Sequence, residues 1–556
     1  MSVFKAVPER YDFPAEEANI VSFWKEREIF AKSLEQRAGS EPFVFYEGPP
    51  TANGMPHNGH VLTRVIKDVF PRYKTMRGFR VPRKAGWDTH GLPVEIEVEK
   101  ALEISGKEGI LEYGVEKFIR KCVDSVFVYT KEWEELTERI GFWVDLSEAY
   151  VTFHKSYVES VWWSLKELFD KGLLYEDRKV VWWWPQGGTA LSAAEVGEGY
   201  RDVEDPSVFV RFRAAEDPDL SYLAWTTTPW TLPSNVVLAV AEAGQYVEVT
   251  TAREDGSSER LVVAADLAPK LFAPPAKKKG EEEEAPAPEP VFSEPFPGSE
   301  LGGRRYRQLR DFKEPEGGKA FEIVAADFVV IDASQEHGSG TGIVHIAPAF
   351  GEDDYRIARE QDLGYLQLVD EQGRMTSETG ELAGKFCKDA DREIIALLKE
   401  NGGLFRRESY RHEYPYCPRA KDYPLIQLAR PAWFIGTSRF KDQLVQNNSG
   451  VSWYPEHIRD GRFGKFLEGN VDWALSRERF WGTPLPVWRC DKTGHTEAIG
   501  SYAELLEKPG LEGTEAWEKA LAEDPGISEH LQVCLLYTSD AADERSSVDL
   551  GGRRII

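Results

Sequence analysis

The segment from Phe43 to Met76 constrains the fold of this chain more than any other. It starts with an apolar run, FVFYEG, passes through a loop rich in Gly, Pro and Asn, and continues from His60 with apolar residues at helical spacing. A buried strand, a loop and a helix in this order open the nucleotide-binding α/β folds. The sequence therefore predicts an α/β domain with a doubly wound sheet near the N-terminus.

Length and composition narrow the class of protein. With 556 residues, of which 41% are hydrophobic, the chain should form two or three globular units. No run approaches the roughly 18 apolar residues of a membrane span, and the first residues lack the apolar core of a signal peptide. The 5 cysteines are scattered and odd in number, which argues against a disulfide framework. We expect a cytoplasmic protein without a membrane partner.

The charge balance disfavours a protein that coats nucleic acid. Lys and Arg total 68 against 94 Asp and Glu, which gives a net charge of −26. A basic groove can nevertheless lie on an acidic body, and basic residues do cluster at Arg72, Lys74, Arg77, Arg80, Arg83 and Lys84. Two interpretations stay open for this cluster, a solvated helix face and a basic groove.

A change of pattern after about residue 200 indicates a second domain. Short β runs such as SVFVRF, NVVLAVA, YVEVTT and FVVIDA are separated by turns between about Arg201 and Arg406. We interpret this region as an inserted, β-rich domain. Residues 273–290 within it are rich in Pro and charge and cannot bury a core, so we expect a disordered surface loop there.

The expected boundaries follow from these patterns. Residues 1–200 hold an N-terminal helix and the first half of the α/β domain, 201–406 the insert, 407–533 an incomplete return to the α/β domain, and 534–556 a tail of different character. The N-terminal helix is predicted over Pro14 to Glu35, with an apolar stripe that packs on the body, formed by Ile20, Phe23, Trp24 and Phe30.

Five motifs occur in a fixed order along the chain. They are YEGPPTANGMPHNGH (46–60), GWDTHGLPVE (86–95), AWTTTPWTLPSN (224–235), GTGIVHIAPAFGEDD (340–354) and NVDWALSRERFWGTPLPVW (470–488). The set resembles the isoleucyl-tRNA synthetase family of class I aminoacyl-tRNA synthetases over roughly residues 10 to 530. The resemblance implies a Rossmann-like catalytic domain interrupted by an editing domain. It also implies ligation of L-isoleucine to tRNA(Ile) through isoleucyl-adenylate, with ATP and Mg²⁺.

The first motif resembles the family's His-x-Gly-His signature, which implies that His57, Asn58, Gly59 and His60 bind ATP, with both histidines catalytic. Free N–H groups and the dipole at a helix N-terminus attract phosphate, and imidazole N–H groups can donate to it. Gly59 lets the nucleotide approach the backbone. The histidines would stabilise charge that develops at the α-phosphorus. Two histidines three residues apart on a helix are more often structural when they stand alone.

The resemblance also implies an amino-acid site. Asp88 matches the aspartate that holds the substrate ammonium group, assisted by backbone near Gly48 and Pro49, and a charge-assisted bond suits that role. Trp481 resembles the tryptophan that walls the isoleucine pocket. Without the motifs, Asp88 would be interpreted as a turn cap and Trp481 as core packing.

The resemblance also implies an editing site. An apolar pocket for isoleucine also admits valine, because one missing methylene changes the binding free energy by only about 1–3 kcal/mol, and isoleucine and valine are the usual example of this limit on discrimination. Thr226, Thr227 and Thr228 match the family's threonine-rich strand. His345 and Asp354 match its editing histidine and aspartate, with Asp354 expected to hold the valyl ammonium group and His345 to limit side-chain size. Pro229 follows the third threonine, where valyl and leucyl relatives carry arginine after paired threonines.

Zinc is not expected in this chain. The family's first Cys-x-x-Cys pair is replaced by Trp184 and Gly187, and the second keeps Cys417 but has Ala420. One thiolate falls short of the about four ligands that structural zinc requires. The sequence shows no further zinc ligands to accompany Cys490 and His495, and this loss resembles the eukaryote-like branch of the family.

The tail Cys534 to Ile556 resembles translated sequencing adapter, so we expect a truncated chain without the Lys-Met-Ser-Lys-Ser loop and the anticodon-binding domain. A monomer is expected. Two alternatives remain: a free-standing editing hydrolase of valyl-tRNA and a non-catalytic tRNA-binding fragment.

Overall fold

The computed structural model describes residues 10–51, 53–253, 256–273, 289–331, 340–418, 423–477, 479–490, 493–508 and 522, and the backbone of 553–555. Most of the predicted loop at 273–290 and of the adapter-like tail at 534–556 therefore lies outside the described residues. Among the described residues, no helix combines the length and the apolar character needed to cross a membrane.

The chain forms two compact units. Unit 1 comprises Met1–Tyr175 and Phe434–Ile556, and unit 2 comprises Glu176–Trp433. In sequence, unit 2 is thus an insertion into unit 1. The chain leaves unit 1 within the strand Leu174–Trp184 and returns to it within the strand Ile426–Ile435.

The helices and strands are numbered in chain order. The helices are α1 (Phe13–Glu26), α2 (Ile29–Glu35), α3 (Asn58–Met76), α4 (Leu92–Leu102), α5 (Gly106–Tyr113), α6 (Val115–Val126), α7 (Thr130–Arg139), α8 (Lys155–Asp170), α9 (Ala193–Gly197), α10 (Ala268–Leu271), α11 (Glu352–Gln361), α12 (Asp391–Glu400), α13 (Lys441–Ser449), α14 (Arg462–Glu468) and α15 (Tyr502–Leu506). The strands are β1 (Phe45–Tyr46), β2 (Arg83–Trp87), β3 (Asp145–Val151), β4 (Leu174–Trp184), β5 (Thr189–Ala190), β6 (Tyr200–Arg213), β7 (Leu220–Thr226), β8 (Val237–Val240), β9 (Gln245–Ala252), β10 (Ser258–Ala264), β11 (Val291–Phe292), β12 (Phe296–Pro297), β13 (Ile323–Ala325), β14 (Ile343–Ile346), β15 (Leu404–Pro415), β16 (Ile426–Ile435), β17 (Trp473–Ala474), β18 (Val487–Cys490), β19 (Thr496–Ala498) and β20 (Arg553–Ile555).

Unit 1 contains a parallel sheet in the order β1-β2-β3. Parallel strands need long crossovers, and α3 supplies the first while α4 to α7 supply the second. The α/β prediction is therefore confirmed. The predicted strand FVFYEG shortens to Phe45 and Tyr46, although the backbone N–H of Phe43 still donates to the carbonyl of Arg80.

The predicted N-terminal helix is two helices. Residue Glu28 lies between α1 and α2 with φ 49°, a left-handed conformation that ends one helix before the next begins. Trp24 and Phe30 pack on the ring of Trp143, as the stripe predicts. Ile20 and Phe23 are exposed, so half of the predicted stripe does not pack on the body.

The basic cluster proves to be neither an open groove nor a fully solvated face. The Arg83 side chain is 0% exposed and contacts Asp68 at 3.0 Å, while Arg72 pairs with the same carboxylate. Arg72 also stacks over the ring of Trp143, 4.1 Å from its centroid. Arg83 thus joins β2 to α3, and Arg72 pairs with Asp68 within α3 and contacts Trp143.

One face of α3 remains apolar and exposed. Its residues recur three or four apart, which places them on one side of the helix. They are Leu62, Val65, Ile66, Val69, Phe70, Tyr73 and Met76. A contiguous apolar stripe of this kind is unusual on a folded surface and is typical of an interaction surface.

Unit 2 is built mainly from β strands. Its large sheet has the order β11-β9-β10-β7-β6-β15 with β12 beside β9, and a second sheet has the order β13-β8-β14. The long strand β6 pairs antiparallel with both β7 and β15. The segment FVVIDA, predicted as a strand, is turn and coil over its described residues, because the strand that pairs with β8 ends earlier, at Ala325.

Replacing Asp68 by Ala should destabilise unit 1 by about 3–5 kcal/mol, because the buried Arg83 loses its counter-charge. Urea unfolding of the wild type and the variant measures this difference. Glu138→Ala is the matched control, since Glu138 pairs with Lys25 in an exposed bridge and should cost about 1 kcal/mol or less. Equal losses of unfolding free energy in the two variants would contradict the conclusion that Asp68 is the counter-charge of a buried arginine.

Candidate functional sites

Two histidines are joined at the start of α3. His57 is the N-cap, and its Nδ1 accepts from the backbone N–H of Gly59 at 3.1 Å. The backbone N–H of His57 in turn donates to Nδ1 of His60 at 3.2 Å. The two rings stack with centroids 3.7 Å apart. The structure therefore brings together the histidines that the HNGH motif singled out.

These bonds assign the protons on both rings. Since each Nδ1 accepts a hydrogen bond, each neutral ring carries its proton on Nε2, which remains available to donate. Burial lowers the pKa of His60, and the neighbouring His57 and Arg64 lower it further, so the neutral form is favoured. A Cβ at Gly59 would lie 3.0 Å from Cε1 of His57, so a larger residue there would require the His57 ring to shift.

Trp133 of α7 contacts both His60 and the loop before α3. Its indole N–H donates to the carbonyl of Gly54 at 2.9 Å and thereby holds the loop that precedes α3. Its ring lies 4.7 Å from the ring of His60 and 4.8 Å from the guanidinium carbon of Arg64. No sequence motif singled out Trp133, because only the folded chain brings α7 beneath the loop.

Asp88 lies directly after β2 and is half-buried. Its backbone N–H donates to the carbonyl of Pro50 at 2.9 Å, which ties the GWDTHG segment to the loop after β1. Burial raises the pKa of Asp88, opposed by a hydrogen bond from the backbone of His90. A Cβ at Gly86 would lie 2.3 Å from the ring of Tyr150, so only glycine fits there. Gly48 and Pro49 belong to the same loop.

Trp481 is fully buried in the core of unit 1. Its indole N–H donates to the carbonyl of Thr89, and its backbone N–H donates to Glu95 at 2.8 Å. Its ring contacts His90 at 5.0 Å. Burial lowers the pKa of His90 to about 4, so this histidine stays neutral. These bonds place Trp481 against the segment that carries Asp88.

In unit 2, three threonine hydroxyls form a chain at the end of β7. The hydroxyl of Thr226 accepts from the backbone N–H of Thr228 at 3.1 Å and lies 3.2 Å from the hydroxyl of Thr228. The hydroxyl of Thr231 lies 3.3 Å from that of Thr228 and donates to the Thr228 carbonyl at 2.8 Å. Thr227 is half-buried beside them.

His345 on β14 joins this chain. Its Nε2 lies 2.8 Å from the hydroxyl of Thr231, and its Nδ1 lies 3.2 Å from the amide nitrogen of Asn235. Tyr306 donates to the amide oxygen of Asn235 at 2.6 Å, which orients that amide with its nitrogen toward His345. Nδ1 thus accepts and Nε2 donates. Burial lowers the pKa of His345 to about 4, so the ring is neutral and both nitrogens are engaged.

Asp354 lies in the first turn of α11, where its carboxylate accepts from the backbone N–H of Ala347 at 2.8 Å. Burial raises the pKa of Asp354 to about 7, and that backbone bond opposes the shift. The loop between β14 and α11 contacts the threonine segment through Phe350, whose ring lies 5.1 Å from that of Trp230. The described contacts thus connect the segments that carry the threonines, His345 and Asp354.

The residues that replace the family's zinc ligands show no metal geometry. A Cβ at Gly187 would lie 2.0 Å from the ring of Trp184, and Cys417 is a buried free thiol. Ala420 lies outside the described residues. In the described part of the chain, no three His, Cys, Asp or Glu side chains are grouped closely enough to hold a metal ion. The zinc prediction stays a prediction.

Three residues of the unit 2 network were absent from the sequence prediction. Thr231 and Asn235 lie within the motif AWTTTPWTLPSN, so their position beside the threonines was a usable signal. Tyr306 lies 71 residues from Asn235 in the chain and carried no signal, because only the tertiary structure brings its hydroxyl to the amide.

Unit 1 thus combines a parallel sheet with a helix that begins at paired histidines, and unit 2 is a β-rich insert. A profile of the family described as tRNA synthetases class I (I, L, M and V) matches residues 19–530. The chain belongs to this family.

The relatives make the comparison more specific. The isoleucine–tRNA ligase of Clostridium acetobutylicum is 47% identical over 506 residues, which cover 91% of this chain and 46% of that protein. The isoleucine–tRNA ligase of Thermus thermophilus is 48% identical over 509 residues, covering 90% and 46%. The chain thus spans about half the length of the curated relatives it matches. Both relatives are bacterial, and the eukaryote-like placement stays a prediction.

Among solved structures, one match is a ternary complex named LeuRS–tRNA–LeuAMS from Agrobacterium radiobacter. The match covers 90% of this chain and 53% of the chain in that structure. It has 17% identity and a TM-score of 0.33. That score is too low to carry a structural argument, so the family assignment rests on the sequence.

The buried neutral His345 should make the stability of unit 2 depend on pH. Its pKa is about 4 in the folded chain against an ordinary 6.5, so below pH 6.5 the unfolded chain binds the proton first. This contribution is fully present above pH 6.5 and is lost as the pH falls toward 4. From pH 7 to 5, wild type should lose about 2 kcal/mol more than His345→Gln in urea unfolding. Equal losses of unfolding free energy in the two proteins would contradict this account. Above pH 7.5 the unfolding free energies of the two proteins should change with pH to the same extent.

Proposed function

We propose that this chain is part of an isoleucine–tRNA ligase, which couples ATP, L-isoleucine and tRNA(Ile) through isoleucyl-adenylate and hydrolyses misactivated valine. The stacked pair His57 and His60 at the start of α3 is the observation that carries the proposal. Relatives of 47% and 48% identity that bear the name isoleucine–tRNA ligase support the choice of amino acid.

The activation site would use the N-terminus of α3 to hold the phosphates of ATP. The Nε2–H groups of His57 and His60 and the free backbone N–H groups at the start of the helix are donors suited to phosphoryl oxygens. Asn58 and Gly59 supply part of that backbone. Mg²⁺ would arrive with the nucleotide. These fixed donors would stabilise negative charge as the isoleucine carboxylate attacks the α-phosphorus and pyrophosphate leaves.

Asp88 would hold the ammonium group of isoleucine. Its half-buried carboxylate is costly to ionise without a partner, and a substrate cation would offset that cost. The carbonyls near Gly48 and Pro49 would add acceptors. Trp481 would form the wall of the side-chain pocket, since its hydrogen bonds hold the ring in one orientation against the Asp88 segment.

The editing site would lie in unit 2. Asp354 would hold the ammonium group of a misattached valine, and the hydroxyls of Thr226, Thr227 and Thr228 would position the attacking water and the terminal ribose of the tRNA. His345 would shape the pocket and would not act as a base, because both of its nitrogens are already engaged. We assign the residues 201–406 to this editing domain.

The exposed stripe of α3 supports the proposal that the catalytic domain is incomplete in this chain. Apolar residues from Leu62 to Met76 would pack against the remainder of a longer protein. We propose that the longer protein acts as a cytoplasmic monomer without zinc in this half, and that residues 534–556 are adapter-derived. The experiments below also test the alternative that the chain binds tRNA without catalysing a reaction.

A second candidate function is a free-standing editing hydrolase. The network from Tyr306 through Asn235, His345 and Thr231 to Thr228 is formed by residues of unit 2. Hydrolysis of valyl-tRNA by this chain alone, without isoleucine-dependent activity in any longer gene product, would favour that function.

The full-length gene product should exchange pyrophosphate into ATP in response to isoleucine. His60→Ala should lower kcat by roughly 100-fold, because one donor to the developing charge is lost. His457→Ala, at an exposed position in a 3-10 helix, is the control and should match the wild type. Exchange with valine or leucine alone would refute the amino-acid assignment, and full activity of His60→Ala would refute the role of the histidine.

This chain should hydrolyse valyl-tRNA, and Asp354→Asn should lower kcat/KM by roughly 100-fold because the ammonium group loses its charged partner. Asp353→Asn is the matched control, since Asp353 is the aspartate next to Asp354 in the chain and is exposed. The pKa of Asp354 is about 7, so the wild-type rate should rise relative to Asp354→Asn as the pH increases from 5.5 to 7.5. Binding of valyl-tRNA without turnover would leave only the non-catalytic role.

A further inference from the structure

Two segments of unit 1 that lie far apart in the sequence are bonded to each other. Residues 86–95 form the motif that carries Asp88, and residues 479–481 belong to the motif that carries Trp481. Unit 2 is inserted between them, and Glu95 and Trp481 are 386 residues apart in the chain. Bonds between these two segments therefore position the chain after its return from the insert.

Three hydrogen bonds hold Trp481 on the earlier segment. Its indole N–H donates to the carbonyl of Thr89, and its own carbonyl accepts from the backbone N–H of Gly91 at 3.2 Å. Its backbone N–H donates to Oε1 of Glu95 at 2.8 Å. The first two bonds use backbone atoms of the earlier segment, whereas the third uses a side chain. Glu95 is therefore the residue of that segment whose side chain fixes the backbone at Trp481.

Glu95 is held in place by its own helix. It lies in the first turn of α4, where Val94 and Val98 are buried in the same apolar cluster as Trp481. Glu95 itself is 2% exposed. A side chain on a packed helix holds its partner more precisely than a side chain on a loop, so Glu95 is a suitable anchor for the returning segment.

The carboxylate of Glu95 has two partners on the returning segment. Oε1 accepts from Trp481, and Oε2 lies 3.3 Å from Nη1 of Arg479, whose side chain is 12% exposed. Burial raises the pKa of Glu95, and Arg479 and the Trp481 N–H oppose that rise. A buried carboxylate is costly without a counter-charge and hydrogen bonds. Residues 479–481 supply both, so the burial of Glu95 and the placement of Trp481 stabilise each other.

The position of Trp481 affects the candidate isoleucine pocket. Its ring lies 5.0 Å from the ring of His90 and 5.7 Å from the ring of Phe153. Asp88 lies two residues before His90, and its backbone N–H is bonded to the carbonyl of Pro50. A shift of the Trp481 backbone would therefore move the aromatic wall relative to the carboxylate that is proposed to hold the substrate ammonium group.

We propose that Glu95 is a positioning residue of the isoleucine pocket, which fixes the backbone at Trp481 and so sets the aromatic wall against the Asp88 segment. The inference rests on the proposed activation of isoleucine, and it assigns a role to a residue that the sequence motifs left without one. Glu95 touches no substrate in this account and acts only through Trp481.

The test compares variants of Glu95 that separate its charge from its reach. Glu95→Gln loses the charge but keeps an oxygen acceptor for the Trp481 N–H. Glu95→Asp keeps the charge but is shorter by one methylene, about 1.5 Å, which takes its carboxylate out of reach of that N–H. Glu95→Met removes both charge and acceptor. Glu97→Ala is the matched control, because Glu97 is an exposed acid of the same helix that pairs with Lys100.

Two measurements report on the segment and on the pocket separately. Hydrogen exchange of peptides covering residues 479–488 in this chain reports on the segment. Isoleucine-dependent pyrophosphate exchange by the full-length gene product, with the KM values for isoleucine and for ATP determined separately, reports on the pocket.

Glu95→Asp and Glu95→Met should raise hydrogen exchange over residues 479–488 by roughly tenfold. They should raise the KM for isoleucine by roughly tenfold, with kcat and the KM for ATP within about threefold of the wild type. Glu95→Gln and Glu97→Ala should stay within about twofold of the wild type in both measurements. A general loss of folded protein would lower kcat and leave both KM values unchanged, so a selective rise in the KM for isoleucine identifies a positioning role.

Each outcome decides the proposal. Wild-type hydrogen exchange and KM in Glu95→Asp would overturn it. Glu95→Gln as defective as Glu95→Asp would also overturn it, because the ion pair with Arg479 would then be the essential contact. If Glu95→Met alone fails to fold, as judged by urea unfolding, Glu95→Asp decides. Failure of both to fold would overturn the proposal, because Glu95 would then support the whole unit.

Failure of the proposed function is distinguishable from failure of this inference. If the full-length wild type shows no isoleucine-dependent pyrophosphate exchange, the proposed activation of isoleucine fails. In that case the hydrogen-exchange measurement still decides whether Glu95 holds the segment that carries Trp481.

Discussion

The ion pair between Arg83 and Asp68 fixes α3, the helix that carries His57 and His60 at its start, against the parallel sheet. It joins the first residue of β2 to the middle of α3, and Arg72 reaches the same carboxylate from one helical turn away. A helix fixed in this way against a parallel sheet points its N-terminus in one direction. The orientation of His57 and His60 is therefore a consequence of buried charge pairing about ten residues further along the chain, as well as of their own hydrogen bonds.

In unit 2, too, buried polar contacts fix the position of a histidine, but there the contacts are between neutral groups. His345 is buried, its pKa is lowered, and its two nitrogens are occupied by Thr231 and Asn235. A buried polar chain with every member satisfied is rigid, because any displacement leaves a group without a partner. Such rigidity would suit the proposed editing pocket, in which His345 limits the size of the side chain. Asp354 contrasts with this, because its raised pKa of about 7 leaves a carboxylate that a cationic ligand would stabilise.

The sequence predicted much of the fold where local patterns were strong. The strand, loop and helix from Phe43 to Met76 and the β runs after residue 200 are present, since their apolar periodicity reflects burial that the fold does provide. Predictions failed where neighbours decided the outcome. The N-terminal helix divides at Glu28, and the described residues of FVVIDA form no strand, because β8 pairs with the residues before them. The basic cluster was misleading, because a count of charges cannot show that Arg83 is buried beside Asp68.

The sequence by itself determined which residue types stand at the candidate sites, because the HNGH, GWDTHG and TTTPW motifs are contiguous and their spacing is visible in the chain. It also determined that an insert of β character separates the two halves of the α/β unit. Only the tertiary structure decided the hydrogen bonds of the histidines, the contact of Trp133 with His60, and the hydrogen bond from Tyr306 to Asn235. These depend on contacts between residues distant in sequence, and on burial, which sets hydrogen-bond partners and pKa values that no local pattern encodes.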